Sequence, residues 1–281
     1  MTENLNPLDM DGFEWVEFAS PQPEALHKLF MAFGFSRTHR HKSKKIDLYR
    51  QNDIVFFLNA EADSHGWKFS KAHGPSACSM AWRFKNAAEA HRKALERGAK
   101  NATLSDFANS KGEKIPAIQG IGDSLIYFID TYNDPNRYEA MGFEKLAKPD
   151  ISVQKGFEFV DHLTNNVAKG TMGDWSNFYK SIFGFTEVRY FDIRGSQTGL
   201  TSFALRSGCG KFCIPINEAD EFKSQINEYL REYNGPGIQH IAFATSDIVK
   251  SLDMMKSSGI ETLDIEETYY DDVFTRVPNV K

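Results

Sequence analysis

Two histidines, His162 and His240, stand in segments that have the pattern of short β-strands. Neutral imidazole is a common ligand of transition metals, and two imidazoles with one carboxylate form the facial triad of non-haem iron oxygenases. Because alternate side chains of a strand point to the same face of a sheet, both rings could face one pocket. A lone strand histidine is more often a core or surface residue, so the metal interpretation depends on whether the two positions correspond.

The two positions do correspond, because the chain repeats itself. Short matches recur in the same order in both halves: residues 12–17 and 156–161, 33–35 and 183–185, 58–59 and 216–217, 74–75 and 235–236, and Gly98 and Gly259. In this alignment Phe18 and Ser79 of the first copy stand where the second copy has His162 and His240. The repeat therefore predicts a metal site in the second copy and a structural first copy with a filled interior.

Each copy has the hydrophobic pattern of an α+β module. An opening strand is expected at 13–18 and again at 157–163, and apolar residues at helical spacing follow each strand. Strand-like runs come next, and one more strand and a second helix complete each copy, which predicts tandem βαβββ modules. We expect an N-terminal structural domain at 1–144, a linker at 145–155 and a C-terminal catalytic domain at 156–281.

Composition limits the class of protein. The chain has 281 residues, 41% hydrophobic and 25% charged, which is typical of globular domains and excludes a disordered or fibrous chain. The formal charge of −5 argues against nucleic-acid binding, and the basic stretch 37–45 is interpreted as a solvated hairpin edge. Three cysteines without a CxxC pair predict reduced thiols and a cytoplasmic location. We expect no secretion signal and no membrane-spanning run.

Several segments resemble the 4-hydroxyphenylpyruvate dioxygenase family of the vicinal-oxygen-chelate superfamily: 159–164, 214–218, 224–226 and 237–242, with 191–193 and 198–202 also fitting. The resemblance runs along most of the chain and is densest in the second copy. It implies two half-open barrels of the glyoxalase type, the second incomplete at its C-terminus. It also implies conversion of 4-hydroxyphenylpyruvate and O₂ to homogentisate and CO₂, a step in tyrosine and phenylalanine catabolism.

The resemblance assigns roles to particular residues. It implies one Fe(II) per chain, bound by His162, His240 and a Glu on the final strand, which the repeat places beyond Lys281. The α-keto acid substrate and O₂ are then the small-molecule partners. The resemblance implies that five residues line the substrate pocket: Ser202, Pro215, Asn217, Gln225 and Gln239.

Alternatives stay open at this point. Hydroxymandelate synthase uses the same substrate and metal but hydroxylates the benzylic carbon, and a non-catalytic barrel could hold a small aromatic ligand. We expect a C-terminally shortened chain that lacks its third ligand, unless another carboxylate or a partner chain supplies it. Glu261, Glu266 and Glu267 precede the expected final strand and do not match the family motif. Assembly into a homo-oligomer is also left open.

Overall fold

The computed structural model describes residues 5–194, 199–219 and 223–263. The elements of the first copy are β1 Met10–Ala19, α1 Pro23–Ala32, β2 Ser36–His41, β3 Ile46–Gln51, β4 Ile54–Asn59, α2 His65–His73, β5 Ser76–Phe84, α3 Ala87–Glu96, β6 Ala117–Gln119, a 3₁₀ turn Ile121–Asp123, β7 Leu125–Ile129, α4 Arg137–Ala140 and β8 Phe143–Asp150. Its strands form one mixed, open sheet in the order β6-β7-β5-β1-β4-β3-β2-β8.

The second copy follows the same order of elements. These are β9 Phe157–Val167, α5 Met172–Phe183, β10 Thr186–Arg194, β11 Gly199–Arg206, β12 Cys213–Ala219, α6 Gln225–Glu232, β13 Gly237–Thr245 and α7 Ile248–Lys256. Within the described ranges its strands form a second open sheet in the order β10-β11-β12-β9-β13. The predicted α+β duplication is therefore confirmed. Among the described residues, no helix is both long enough and apolar enough to cross a membrane.

The structure adds two helices that the sequence pattern did not predict. Helices α2 and α6 connect the first four strands of each copy to the strand that follows. Both begin with a serine N-cap: Ser64 accepts a hydrogen bond from the Trp67 N–H, and Ser224 accepts one from the Asn227 N–H.

The predicted linker begins inside a strand. Residues 143–150 form β8, which pairs with β2 at the edge of the first sheet, for example through Phe143 and His41. The first sheet therefore extends into the range 145–155 that the sequence pattern assigned to a linker. The domain limits themselves stay a prediction.

The two copies pack on one shared hydrophobic core. The ring centre of Trp82 in β5 lies 4.8 Å from that of Phe183 in α5 and 5.3 Å from that of Phe212, just before β12. Near these rings, the Asp53 N–H donates a hydrogen bond of 3.1 Å to the Glu158 carbonyl. The orientation of the second copy is therefore set by contacts with the first.

The strand registers show which positions of the two copies are equivalent. In the first copy Trp15 is paired with Ala81, and Glu17 with Ser79. In the second copy His162 is paired with Ala242, and Thr164 with His240. Trp15 therefore occupies the position of His162, and Ser79 occupies that of His240.

The prediction that Phe18 corresponds to His162 is wrong by three residues. Both pairings, β1 with β5 and β9 with β13, contain β-bulges, which add residues to a strand without adding pairs. An alignment of β1 with β9 that is correct at the start of the strands is therefore out of register at their ends. Phe18 instead packs on the α1 side of the sheet, with its ring centre 5.0 Å from those of Phe30 and Phe56.

Aromatic rings fill the interior of the first copy. Trp15 is fully buried, and its ring centre lies 5.0 Å from Phe57, 5.7 Å from Phe107 and 6.0 Å from Tyr127. Such packing leaves no room for a ligand at the position equivalent to His162. The structural role of the first copy stays a prediction.

A buried acidic group lies at the end of this interior. Glu17 is fully buried, and its carboxyl accepts hydrogen bonds from the Asn59 amide at 2.7 Å and the Ser79 hydroxyl at 2.5 Å. The same Asn59 amide donates to the Asp106 carboxylate at 3.2 Å. Burial and the nearby charge of Asp106 raise the pKa of Glu17 to about 7. Below that pH, Glu17 is protonated in the folded chain.

Replacing Glu17 with Gln should reduce the dependence of the unfolding free energy on pH. The unfolded carboxyl ionises near pH 4.5 and the folded one near pH 7, so the wild-type chain should lose stability as the pH rises through this window. The difference between the two pKa values corresponds to a loss of about 3 kcal/mol. Gln cannot ionise, so the variant should lack this part of the loss.

Urea unfolding at pH 5 and pH 8 measures the effect. Glu24→Gln, at an exposed position in α1, should keep the wild-type dependence on pH and serves as the control. An unchanged dependence in Glu17→Gln would show that Glu17 is ionised in the folded chain.

Candidate active site

His162 and His240 lie on neighbouring strands of the second sheet. β9 and β13 are antiparallel, and the cross-strand partners His162–Ala242 and Thr164–His240 put both histidines on one face. Their ring centres are 5.5 Å apart, with an angle of 77° between the ring planes. Two imidazoles that share a metal at a bond length of about 2.1 Å have ring centres about 4.5–5.5 Å apart. The sequence-based pairing of the two rings thus has a suitable geometry, and their role as ligands stays a prediction.

Each imidazole uses its Nδ1 atom in a hydrogen bond with the preceding residue. Nδ1 of His162 lies 2.7 Å from Oδ2 of Asp161, and Nδ1 of His240 lies 2.5 Å from Oε1 of Gln239. Because these oxygens accept hydrogen bonds, each Nδ1 is the donor, and Nε2 is the ring nitrogen left to face a metal. Burial, followed by the neighbouring His162, lowers the pKa of His240, which favours the neutral ring that a metal requires.

A row of polar side chains crosses the same face of the sheet. Ser202 in β11 is paired with Asn217 in β12, and Asn217 is paired with Asn166 in β9. The Asn217 amide donates a hydrogen bond of 3.2 Å to Oδ1 of Asn166. Ser202 and Asn166 are buried, whereas Asn217 is half-buried. The row therefore offers neutral hydrogen-bonding groups on the side of the sheet that carries the histidines.

Pro215 belongs to the same face. Along β12 the side chains of Ile214 and Ile216 are buried, and those of Cys213, Pro215 and Asn217 are half-exposed. Cys213 is directly paired with His162 on β9, which fixes this half-exposed side as the histidine side. The structure thus places Ser202, Pro215 and Asn217 on one surface with His162 and His240.

The two predicted glutamines lie in different settings. Gln239 is the residue inserted between Ile238 and His240 at a β-bulge, and its amide oxygen contacts His240 directly. Gln225 is the first residue of α6 and is exposed, and α6 packs against β9 and β12. The structure therefore brings Gln239 to the histidines and leaves Gln225 on the neighbouring helix.

Three neighbours of the histidines are not among the site residues that the sequence predicts. Asn166, Asp161 and Cys213 all contact or pair with predicted site residues. The two-residue spacing from His162 to Thr164 and Asn166 could have indicated Asn166, since these side chains share a face. Burial raises the pKa of the Cys213 thiol, which favours its neutral form in the metal-free chain.

The third ligand is not found among the residues that the structure describes. No cluster of three or more His, Cys, Asp or Glu side chains suited to a metal occurs in this part of the chain. Glu261 lies exposed after α7, whereas Glu266 and Glu267 lie outside the described residues. The Glu expected beyond Lys281 stays a prediction.

A cleft that shares Asp161 with the histidine pair lies where the two copies meet. It has a volume of about 500 Å³, and its lining includes Asp53, Arg83, Asp161, Arg206 and Lys211. Its cations already have partners: Arg83 pairs with Asp53 and Glu14, Lys211 pairs with Asp11, and Arg206 donates to the Gly210 carbonyl. We therefore assign the candidate active site to the histidine face and not to this cleft.

Comparison with known proteins agrees with the fold and the duplicated architecture. Residues 159–277 match the Glyoxalase/Bleomycin resistance protein/Dioxygenase superfamily model. Residues 4–148 match the model for the N-terminal domain of hydroxyphenylpyruvate dioxygenase. The class is therefore that of vicinal-oxygen-chelate proteins built from two glyoxalase-like copies.

Relatives at higher identity define the family. The chain is 55% identical to Protein MelA of Shewanella colwelliana, over 100% of this chain and 80% of that protein. It is 45% identical to the 4-hydroxyphenylpyruvate dioxygenase of Pseudomonas aeruginosa, over 98% of this chain and 77% of the enzyme. The chain belongs to the 4-hydroxyphenylpyruvate dioxygenase family, as the sequence resemblance predicted.

A solved structure supports the same architecture. A mutant of 4-hydroxymandelate synthase from Streptomyces coelicolor superimposes with a TM-score of 0.79, covering 97% of this chain and 82% of that one. The sequence identity is 18%, so this similarity concerns the fold alone.

Replacing Asp161 with Asn should weaken metal binding without unfolding the chain. The carboxylate that holds Nδ1 of His162 becomes a neutral amide, which is a poorer acceptor and leaves the ring less well oriented. Loss of such a partner typically lowers metal affinity about 10- to 100-fold. Titration with Fe(II) under anaerobic conditions measures the dissociation constant.

Asp174→Asn is a matched control, because Asp174 is an exposed carboxylate in the first turn of α5. Equal affinity in wild type and Asp161→Asn would show that this hydrogen bond does not orient a ligand.

Proposed function

We propose that this chain is an Fe(II)-dependent 4-hydroxyphenylpyruvate dioxygenase that forms homogentisate and CO₂, a step in tyrosine catabolism. The observation that carries the proposal is the pair His162 and His240, with ring centres 5.5 Å apart on one sheet face. Family membership supplies the substrate class, because the Pseudomonas aeruginosa relative is named for this reaction. The three free cysteines support a cytoplasmic location, since reducing compartments keep thiols unpaired.

The donor set fits one ferrous ion per chain. Two neutral imidazoles whose Nδ1 atoms are engaged present two Nε2 lone pairs, and this ligand type suits Fe(II). A carboxylate would complete a facial triad, and we propose the family's Glu beyond Lys281 for that position. When bound, Fe(II) supplies redox chemistry with O₂ and a template for the α-keto acid.

The chain's own residues bind and orient the substrate. We propose that Ser202 and Asn217, together with Asn166, hydrogen-bond the phenol or keto oxygens of 4-hydroxyphenylpyruvate. Neutral amides and hydroxyls suit this task, because they recognise uncharged oxygens without burying an unpaired charge. Pro215, between Cys213 and Asn217 on the same face, shapes the wall. We propose Gln225 as a further polar contact from α6.

The overall reaction balances without another reductant. One molecule of 4-hydroxyphenylpyruvate and one of O₂ give one homogentisate and one CO₂. The keto acid supplies the electrons as it loses CO₂, one oxygen atom enters the new carboxylate, and the other becomes the new ring hydroxyl. A closed, water-poor pocket around the reacting atoms would protect this chemistry from side reactions.

Replacing either His162 or His240 with Ala should abolish stoichiometric Fe(II) binding and O₂ consumption with 4-hydroxyphenylpyruvate. Each change removes one of the two histidine ligands while leaving the sheet pairing intact, so circular dichroism and the melting temperature should stay close to wild type. His91→Ala, in α3 of the first copy, is the matched histidine control. Oxygen-electrode measurements and metal analysis follow the two effects.

Product analysis separates the proposal from its rivals. Chromatography should find homogentisate, whereas 4-hydroxymandelate would assign the chain to the synthase reaction. Stoichiometric binding of the aromatic keto acid without iron binding or turnover would indicate a non-catalytic binding protein.

Replacing Gln239 with Leu should lower kcat/KM and leave the melting temperature close to that of the wild type. The change removes the amide oxygen that contacts Nδ1 of His240 and a polar group beside the proposed substrate position. Loss of one such hydrogen bond corresponds to a decrease of about 2- to 12-fold. Steady-state kinetics measure the effect. Gln225→Leu serves as the comparison, because Gln225 lies on α6 and Gln239 lies beside His240. Wild-type kinetics in Gln239→Leu would remove it from the site.

A further inference from the structure

The first copy contacts the second close to the His240 strand. His73, the last residue of α2, stacks on Tyr233, with ring centres 4.7 Å apart and an angle of 21° between the planes. Nδ1 of His73 also lies 2.8 Å from the Tyr233 carbonyl oxygen. Tyr233 is buried against Phe69 and Cys78 of the first copy. The end of α6 is therefore held by the first copy.

A second tyrosine continues this contact to β13. Tyr229 in α6 stacks on Tyr233, with ring centres 4.9 Å apart and an angle of 17°. The Tyr229 hydroxyl donates a hydrogen bond of 3.0 Å to the Ile238 carbonyl. Ile238 is the residue before the β-bulge that contains Gln239 and sets the direction of His240. The hydroxyl therefore lies at the point where the backbone changes register.

Glycines keep the segment between Tyr233 and His240 closely packed. A Cβ atom on Gly237 would lie 2.4 Å from the Tyr233 ring, so the ring rests directly on the backbone. A Cβ atom on Gly122 of the first copy would lie 1.9 Å from the Pro236 carbonyl oxygen. The segment 233–237 is thus confined from both sides, which limits its freedom to change register.

Comparison of the two copies shows that only the second has a hydroxyl at the position of Tyr229. Counting from the serine N-caps Ser64 and Ser224, Phe69 is equivalent to Tyr229. The first copy has the same bulge, with Phe18 paired to Ala77 and Glu17 paired to Ser79. The phenyl ring of Phe69 cannot donate a hydrogen bond to this bulge. The copy with the hydroxyl is the copy with the histidines.

We propose that Tyr229 is a positioning residue for His240 and that His73 of the first copy supports it by holding Tyr233. This inference rests on the proposed metal site. It gives the structural copy a defined task, which is to fix the bulge that aims one of the two imidazoles. Tyr229 acts through the Ile238 carbonyl and the backbone, and not by contact with metal or substrate.

Tyr229→Phe tests the proposal, because it removes only the hydroxyl and restores the residue type of the first copy. Co(II), added anaerobically to the full chain, is the probe, since its visible absorption bands report ligand geometry. We expect Co(II) binding to weaken about 10-fold and its bands to shift, with the melting temperature close to wild type. Tyr179→Phe is the matched control, because among the described residues the buried Tyr179 hydroxyl has no hydrogen-bond partner.

His73→Phe tests the support from the first copy. Phe keeps an aromatic ring against Tyr233 but loses the contact between Nδ1 and the Tyr233 carbonyl. We expect a change of the Co(II) bands in the same direction as for Tyr229→Phe, but smaller. Wild-type Co(II) affinity and bands in Tyr229→Phe would overturn the inference and leave the proposed function intact. Absence of Co(II) bands in the wild-type chain would instead refute the metal site itself, and the inference with it.

Discussion

The bulged antiparallel pairing of β9 with β13 is the constraint on which the candidate site depends. This pairing places His162 opposite Ala242 and His240 opposite Thr164, so both rings stand on one face of the sheet. A shift of one residue in either strand would turn a ring to the opposite, core-facing side. The geometry of the donor pair is therefore a property of strand register, and the loops and helices around it serve to hold that register.

The two copies share the same order of strands and helices but differ in the side chains on the equivalent sheet face. At the positions of His162 and His240 the first copy has Trp15 and Ser79, and aromatic rings occupy the space between its strands. In the second copy the equivalent face carries half-exposed polar side chains, including Asn217. Filling one interior stabilises the chain through burial of apolar surface, whereas the polar face of the other copy carries the candidate site.

The shared core makes the two copies interdependent. Trp82 of the first copy packs among Phe183 and Phe212 of the second, and His73 stacks on Tyr233. These contacts join the copies near β12 and β13, the strands that carry residues of the candidate site.

The sequence by itself determined the duplication, the α+β class and the two histidines, because hydrophobic periodicity and residue type are local properties. The resemblance to a known family also indicated Ser202, Pro215 and Asn217, which the structure brings to the histidine face. Only the tertiary structure decided that Trp15 and not Phe18 is equivalent to His162, that residues 143–150 form a strand, and that Asn166 joins the polar row. These features depend on contacts between residues far apart in the chain. A local sequence pattern does not predict such contacts.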